Sequence, residues 1–151
     1  TKLWSTDHGR DRTLAAFEKS EGLLGLGPVD LYLIHWPSPE RGLYVETWRT
    51  LIELKEEGRI RSIGVSNFNA EQLDRLIGET GVTPVVNQIE CHPAFQQRAL
   101  REANAGRGIV TQSWGPLGRG NLLADPVLAG IDPGKGRGQS AQLDRHFRFF
   151  R

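Results

Sequence analysis

Short apolar runs alternate along this chain with longer stretches in which apolar residues recur at helical spacing. The runs close at 1–4 (TKLW), 31–36 (LYLIHW), 62–67 (SIGVSN), 85–90 (VVNQIE) and 109–114 (IVTQSW), and each reads as a strand. The stretches between them read as helices. In YVETWRTLIELKEEG, Val45, Trp48, Leu51, Ile52 and Leu54 are apolar, Lys55 falls in the last turn and Gly58 supplies the stop. In NAEQLDRLIGETG, Asn69 reads as the N-cap with Gln72 three residues on, and Leu73, Leu76 and Ile77 form one apolar face. DRTLAAFEKSEGLLGLG places Leu14, Phe17 and Leu24 on one stripe with Glu21 close to it, and residues 94–108, AFQQRALREANAGRG, read as a further helix ending in glycines.

Strands alternating with helices predict βαβ units and a parallel sheet, an α/β fold. Residues 1–117 read as one such unit. Beyond it, 118–151 is rich in glycine (GPLGRGNLL, IDPGKGRGQSAQ) and reads as loop and tail, with one short helix in LLADPVLAG. The terminal DRHFRFFR mixes basic and aromatic residues and reads as an exposed or loosely docked tail.

With 151 residues, the chain can build one domain with a real core. A formal net charge of +1 gives no reason to expect nucleic acid or an anionic membrane as the partner. No apolar run approaches the ~20 residues of a membrane span, and the start lacks a signal-peptide pattern. The single cysteine, Cys91, excludes an intrachain disulfide and fits a reducing compartment, so a cytoplasmic location is expected. There is no methionine anywhere, and TKLW begins as if at the edge of a strand, so an incomplete piece of a longer protein is expected.

In a parallel α/β fold, ligands meet the C-terminal ends of the strands. Those ends carry Lys2, His35, Ser66, Asn67, Gln88 and Trp114. Taken singly, each has a plain structural reading: a solvated lysine, a satisfied core histidine, a turn-forming asparagine, a buried amide. Five strands each offering at least one such residue point to a shared site. A lysine beside a histidine suits a carbonyl or its alkoxide, giving a cation and a hydrogen-bond donor where charge develops. Ser, Asn and Gln suit a carboxamide, and Trp114 offers a flat face for a planar ring. Carboxamide plus planar ring describes a nicotinamide, so the residues suggest hydride transfer to a carbonyl. No CxxC, HxxxH or HExxH spacing is present, so no metal site is expected. No GxGxxG follows a strand, and GKGRG is not a phosphate-binding Walker loop.

TKLW, VDLYLIHWP, GRIRSIGVSNF, VVNQIECHP and SWGPLG, in this order, resemble an aldo-keto reductase, nearest to the bacterial 2,5-diketo-gluconate reductases, from Thr1 to about Gly130. The resemblance implies a TIM (β/α)8 barrel with the cofactor, NADP(H) or NAD(H), extended across its C-terminal face. It implies roles as well. Lys2 matches the catalytic lysine, and His35 the histidine that orients the substrate carbonyl. Ser66, Asn67 and Gln88 match the carboxamide-binding groups, Trp114 the stacking aromatic, and Gly115, Pro116 and Leu117 the loop passing the pyrophosphate. Trp4 and Trp36, with His35, would line the substrate pocket.

The departures carry weight too. The family's catalytic tyrosine and aspartate, and the strand that holds the adenosine end, have no counterpart in these residues. Strands three to seven of the eight are matched, so a partial barrel of about five parallel strands is expected. The chain by itself is expected to lack useful activity and to self-associate through open sheet edges, whereas the full-length parent is expected to be a monomer acting on small carbonyls such as sugar-derived dicarbonyls. Two alternatives stay open: a non-catalytic remnant or interaction module with a half-barrel fold, and a different TIM-barrel enzyme.

Overall fold

The computed structural model describes residues 1–122 and 125–129. Five strands, β1 (Lys2–Leu3), β2 (Val29–Ile34), β3 (Ile60–Ser66), β4 (Val86–Glu90) and β5 (Val110–Trp114), form one sheet. Every neighbouring pair is parallel and the spatial order follows the chain, β1-β2-β3-β4-β5. A doubly wound sheet would reverse its order at a switch point. An unreversed order is what an arc of a TIM barrel gives. The intervening helices are α1 (Arg10–Leu24), α2 (Tyr44–Glu56), α3 (Ala70–Thr80) and α4 (Arg98–Gly106). A 3-10 turn at Gly118–Gly120 and a short helix α5 (Pro126–Ala129) follow β5. The expected glycine-rich tail and its basic-aromatic terminus, 130–151, lie outside the described residues. Among the described residues no helix is long and apolar enough to cross a membrane.

Alternation divides each strand between two layers. Tyr32, Ile34, Ile63 and Val65 pack with Phe17, Trp48, Leu51, Leu73 and Leu76 into the sheet–helix core. Leu33, Gly64 and Val86 share the opposite, concave face, where the interior of a barrel would lie. Asn69 caps α3 as its spacing predicts: its Oδ1 accepts from the Gln72 amide at 2.8 Å, and the Gln72 side chain accepts from the Asn69 amide at 3.0 Å. Asn87 and Asn104 are fully buried in the helix layer. Asn87 Nδ2 donates to the Phe68 carbonyl (2.9 Å) and to Asn104 Oδ1 (3.3 Å), and Asn104 Nδ2 donates to Thr111 (2.9 Å), which pins α4 across β4 and β5.

Two expectations are corrected. Leu24 is not on the core stripe of α1; it is 45% exposed, at the last position of the helix before Gly25 turns the chain left-handed. Glu21, close to that stripe, pairs with Arg59, whose guanidinium also sits over the Phe17 ring at 4.8 Å. The helix expected over 94–108 begins only at Arg98. Residues 92–95 form a tight turn in which His92 and Phe95 exchange backbone hydrogen bonds, and Gln97, at φ 43°, turns the chain into the helix.

Gly64 generates a stability prediction. A Cβ there would lie 2.6 Å from Val86 Cγ1, 2.8 Å from Leu33 Cδ2 and 2.8 Å from the Val86 carbonyl oxygen. The backbone oxygen cannot step aside, so Gly64→Ala is expected to destabilise by about 1–3 kcal/mol in chemical denaturation. An unchanged midpoint would refute this account of the concave face. The sheet edges generate a second. Among the described residues β1 pairs only with β2 and β5 only with β4. Unpaired edges template association, so the 151-residue chain is expected to sediment as dimers or larger species; a stable folded monomer in analytical ultracentrifugation would contradict this.

Candidate active site

The register brings the polar strand ends onto one level. Ser66 pairs with Gln88, and Gln88 with Gln112. His35 follows Ile34, the partner of Val65, and so stands beside Ser66 on the same face. Lys2 pairs with Leu33, one layer below His35. All of the expected residues from Lys2 to Trp114 thus gather at the C-terminal edge of the sheet.

His35 is held between two indoles. Trp4 meets it edge-on, ring centroids 4.9 Å apart at 75°, and Trp36 lies nearly parallel, centroids 6.4 Å apart at 20°. Both indoles remain about half exposed, so they form a wall open to solvent rather than a core. Burial of the imidazole, and then the nearby Lys2 ammonium, lower its pKa below the ordinary value. At neutral pH His35 is therefore a neutral ring, able to donate one hydrogen bond.

Asn67 is the junction of the site. It adopts φ 64°, a left-handed conformation that asparagine tolerates better than most residues. Its Nδ2 donates to the His35 carbonyl (2.9 Å) and to Ser66 Oγ (3.0 Å), while its Oδ1 accepts from Trp114 Nε1 (2.8 Å). Its backbone amide donates to the Gln88 carbonyl (2.9 Å). Ser66 is buried, and its hydroxyl donates to that same carbonyl (2.8 Å). Gln88 is freer. Its Nε2 donates to Gln112 Oε1 at 2.7 Å, and no other side-chain bond is recorded for it among the described residues. A primary amide has two donor hydrogens and two acceptor lone pairs. Gln88 therefore keeps one donor and its oxygen for a ligand, whereas both Asn67 donors are committed.

Trp114 is less open than a bare stacking surface. The Arg119 guanidinium lies 5.5 Å from its ring centroid and 4.0 Å from Glu90 Oε1. Gly115, Gly118, Arg119 and Gly120 all have positive φ, so the 115–120 loop turns tightly just past β5. A cleft of about 260 Å³ lies against Trp36, Asn67, Glu90, Phe95 and Trp114. Sequence reasoning missed Gln112 and Glu90. Both sit at inward positions of strands already identified, and alternation from Gln88 and Trp114 would have found them.

The two tyrosines are turned away. Tyr32 is buried in the helix layer, edge-on to Phe17 with centroids 5.3 Å apart. Tyr44 opens α2 and packs edge-on to Phe68 at 5.5 Å.

Residues 1–142 match the sequence model of the aldo/keto reductase family, past the Gly130 at which the motifs end. The chain is 54% identical to an aldo-keto reductase of Mycobacterium sp. (strain JLS) over 96% of its own length and 52% of that protein. It is similar to the crystal structure of a Gox0644 mutant in complex with NADPH, with 53% identity and a TM-score of 0.91 over 96% of this chain and 54% of that one. It is also similar to the Bombyx mori aldo-keto reductase in complex with NADP, with 35% identity and a TM-score of 0.83 over 97% and 53%. The chain thus spans about half the length of these relatives and corresponds to part of a TIM barrel.

The titration of two histidines has a testable consequence. His8, 1% exposed, has neither ring nitrogen partnered among the described residues, and its pKa is lowered by burial and by Arg41 against the opposing pull of Asp7 and Glu40. His35 is lowered likewise. Below the ordinary histidine pKa of ~6.5 the unfolded chain then binds more protons than the folded one, so stability is full above that pH and falls as pH drops. The thermal midpoint is expected to decrease between about pH 7 and about pH 5, and His8→Gln to flatten that slope. A pH-independent midpoint over this window would contradict it.

Proposed function

The chain belongs to the aldo/keto reductase family, and from that premise we propose that it forms the nicotinamide- and carbonyl-facing part of an NADP(H)-dependent reductase of small aldehydes and ketones, sugar-derived dicarbonyls among them. The observation that carries this reading is the neutral His35, set between two indoles and joined through Asn67 to Trp114.

The residues fit the cofactor. Gln88 keeps one donor and an acceptor, the complement of a carboxamide, and Trp114 offers an indole beside it. In this reading Gln88 meets the carboxamide, Ser66 and Asn67 brace the strand ends that hold it, and the 115–120 loop, with Gly115, Pro116 and Leu117, takes the diphosphate. When bound, the cofactor supplies the hydride. His35 donates to the substrate oxygen as a neutral ring, Lys2 supplies a cation beneath it, and Trp4 and Trp36 exclude water from the carbonyl. The two solved relatives that carry NADPH or NADP favour the phosphorylated cofactor over NAD(H).

The proton for the new hydroxyl is not provided by either tyrosine of this chain, since both face the helix layer. We assign it to a residue outside these 151 positions in the whole protein. General acid catalysis contributes about 10²–10⁴-fold, so the 151-residue chain alone is expected to give no useful turnover.

The test follows NADPH absorbance with a panel of carbonyls. The whole protein that contains this chain should oxidise NADPH, and Lys2→Met and His35→Gln should each lower kcat/KM by about 10²-fold or more. No oxidation with any carbonyl would refute the reading. Turnover by the isolated chain that matches the whole protein would refute the assignment of the acid.

A further inference from the structure

Gln112 has no place in the roles above, yet among the described residues its side chain makes the one recorded side-chain hydrogen bond of Gln88. The two are register partners on β4 and β5, so they lie side by side on the concave face, and Gln88 Nε2 donates to Gln112 Oε1 at 2.7 Å. A primary amide is close to symmetric in shape but opposite in chemistry at its two ends. Left free, it rotates and shows a ligand either a donor or an acceptor. We propose that Gln112 is a positioning residue that fixes the amide of Gln88, holding its nitrogen towards β5 and leaving its oxygen as the acceptor that reads the NH2 of a ligand carboxamide.

Two further features support this orientation. Ser66, the register partner of Gln88 on the other side, has its hydroxyl hydrogen committed to the Gln88 backbone carbonyl, so it does not compete for the side-chain oxygen. Asn67 has both of its donor hydrogens committed as well. Among the described residues no donor is recorded to the Gln88 side-chain oxygen, which leaves it for the ligand. A cofactor whose ring carries a methyl ketone instead of a carboxamide matches the shape but brings no N–H, and it leaves that oxygen unpaired. Gln112 thus makes this position selective for the amide.

The proposal rests on the reading that Gln88 meets the nicotinamide carboxamide, and the experiment separates the two. Dissociation constants of NADPH and of its reduced 3-acetylpyridine analogue are measured by fluorescence titration on the whole protein, with thermal midpoints recorded alongside. The unsubstituted protein should prefer NADPH by about tenfold, the scale of one hydrogen bond. Gln112→Leu, or Gln112→Met should the first variant not fold, should bring the two constants within about twofold at an unchanged midpoint. Gln112→Glu, which can only accept, should preserve the preference. Loss of preference in Gln88→Ala together with its retention in Gln112→Leu and Gln112→Met would overturn the role of Gln112. Equal loss in Gln112→Glu and Gln112→Leu would overturn the direction of the bond. Preference surviving in Gln88→Ala would overturn the underlying reading of Gln88 itself.

Discussion

One asparagine holds the ends of four strands. Asn67 reaches back to the His35 carbonyl at the end of β2, to the hydroxyl of Ser66 on its own strand β3, to the Gln88 carbonyl on β4 and to the Trp114 indole on β5. Two of these bonds are from a side-chain amide, one is accepted by its oxygen, and one comes from the backbone amide, so the residue is used close to its capacity. Parallel strands leave the sheet at their C-terminal ends with carbonyls pointing outward and no further ladder to satisfy them. Asn67 satisfies two of these carbonyls and, in doing so, sets the spacing between the histidine and the tryptophan. The left-handed backbone that this requires is one asparagine can adopt.

Below that junction the sheet is packed tightly on both sides, by different means. On the helix side the apolar cluster is flanked by the buried Asn87–Asn104–Thr111 chain, whose members satisfy one another. On the concave side Gly64 removes a side chain so that Leu33 and Val86 can close over the strand. Movement of β4 or β5 against β3 would break either the buried amide chain or that close packing. The row Ser66–Gln88–Gln112 inherits its rigidity from these two layers, because its members alternate with Val65, Asn87 and Thr111 on the helix side, and Ser66 and Gln88 stand two residues from Gly64 and Val86 on their own face.

The strand positions, the alternation of helices and the α3 cap were legible in the sequence, because each depends on a local period or a spacing of three residues. The gathering of Lys2, His35, Ser66, Gln88 and Trp114 at one edge was legible for a related reason: parallel strands in an unreversed order place their ends together whatever the detailed packing. The start of α4 was not, since residues 92–95 close a turn through backbone hydrogen bonds that leave no mark in hydrophobicity. The exposure of Leu24 goes with its place in the last turn of α1, and where the helix ends is something its period does not encode. Gln112 and Glu90 were missed for a further reason. Gln112 lies inside an apolar run rather than at its end, Glu90 closes its run as a charged residue, and the register between the two strands shows that they lie beside Gln88 and Trp114.

Hydrogen-bond capacity divides the site into a frame and a reader. Asn67 and Ser66 direct their donor hydrogens to protein groups, so they fix geometry and have little left to offer a ligand. Among the described residues Gln88 makes a single side-chain bond and keeps the rest. His35 belongs with the reader: its backbone carbonyl is tied to Asn67, while its neutral ring stays between the indoles with a donor to give. This division explains why the same residue types, serine, asparagine and glutamine, cannot be treated as equivalent amide binders merely because they share a level. Those bonded to the frame transmit position, and those with unspent donors and acceptors supply recognition. On the proposed reading, a ligand arriving at this edge meets a surface whose selectivity is concentrated at Gln88 and His35, and whose precision is set at Asn67.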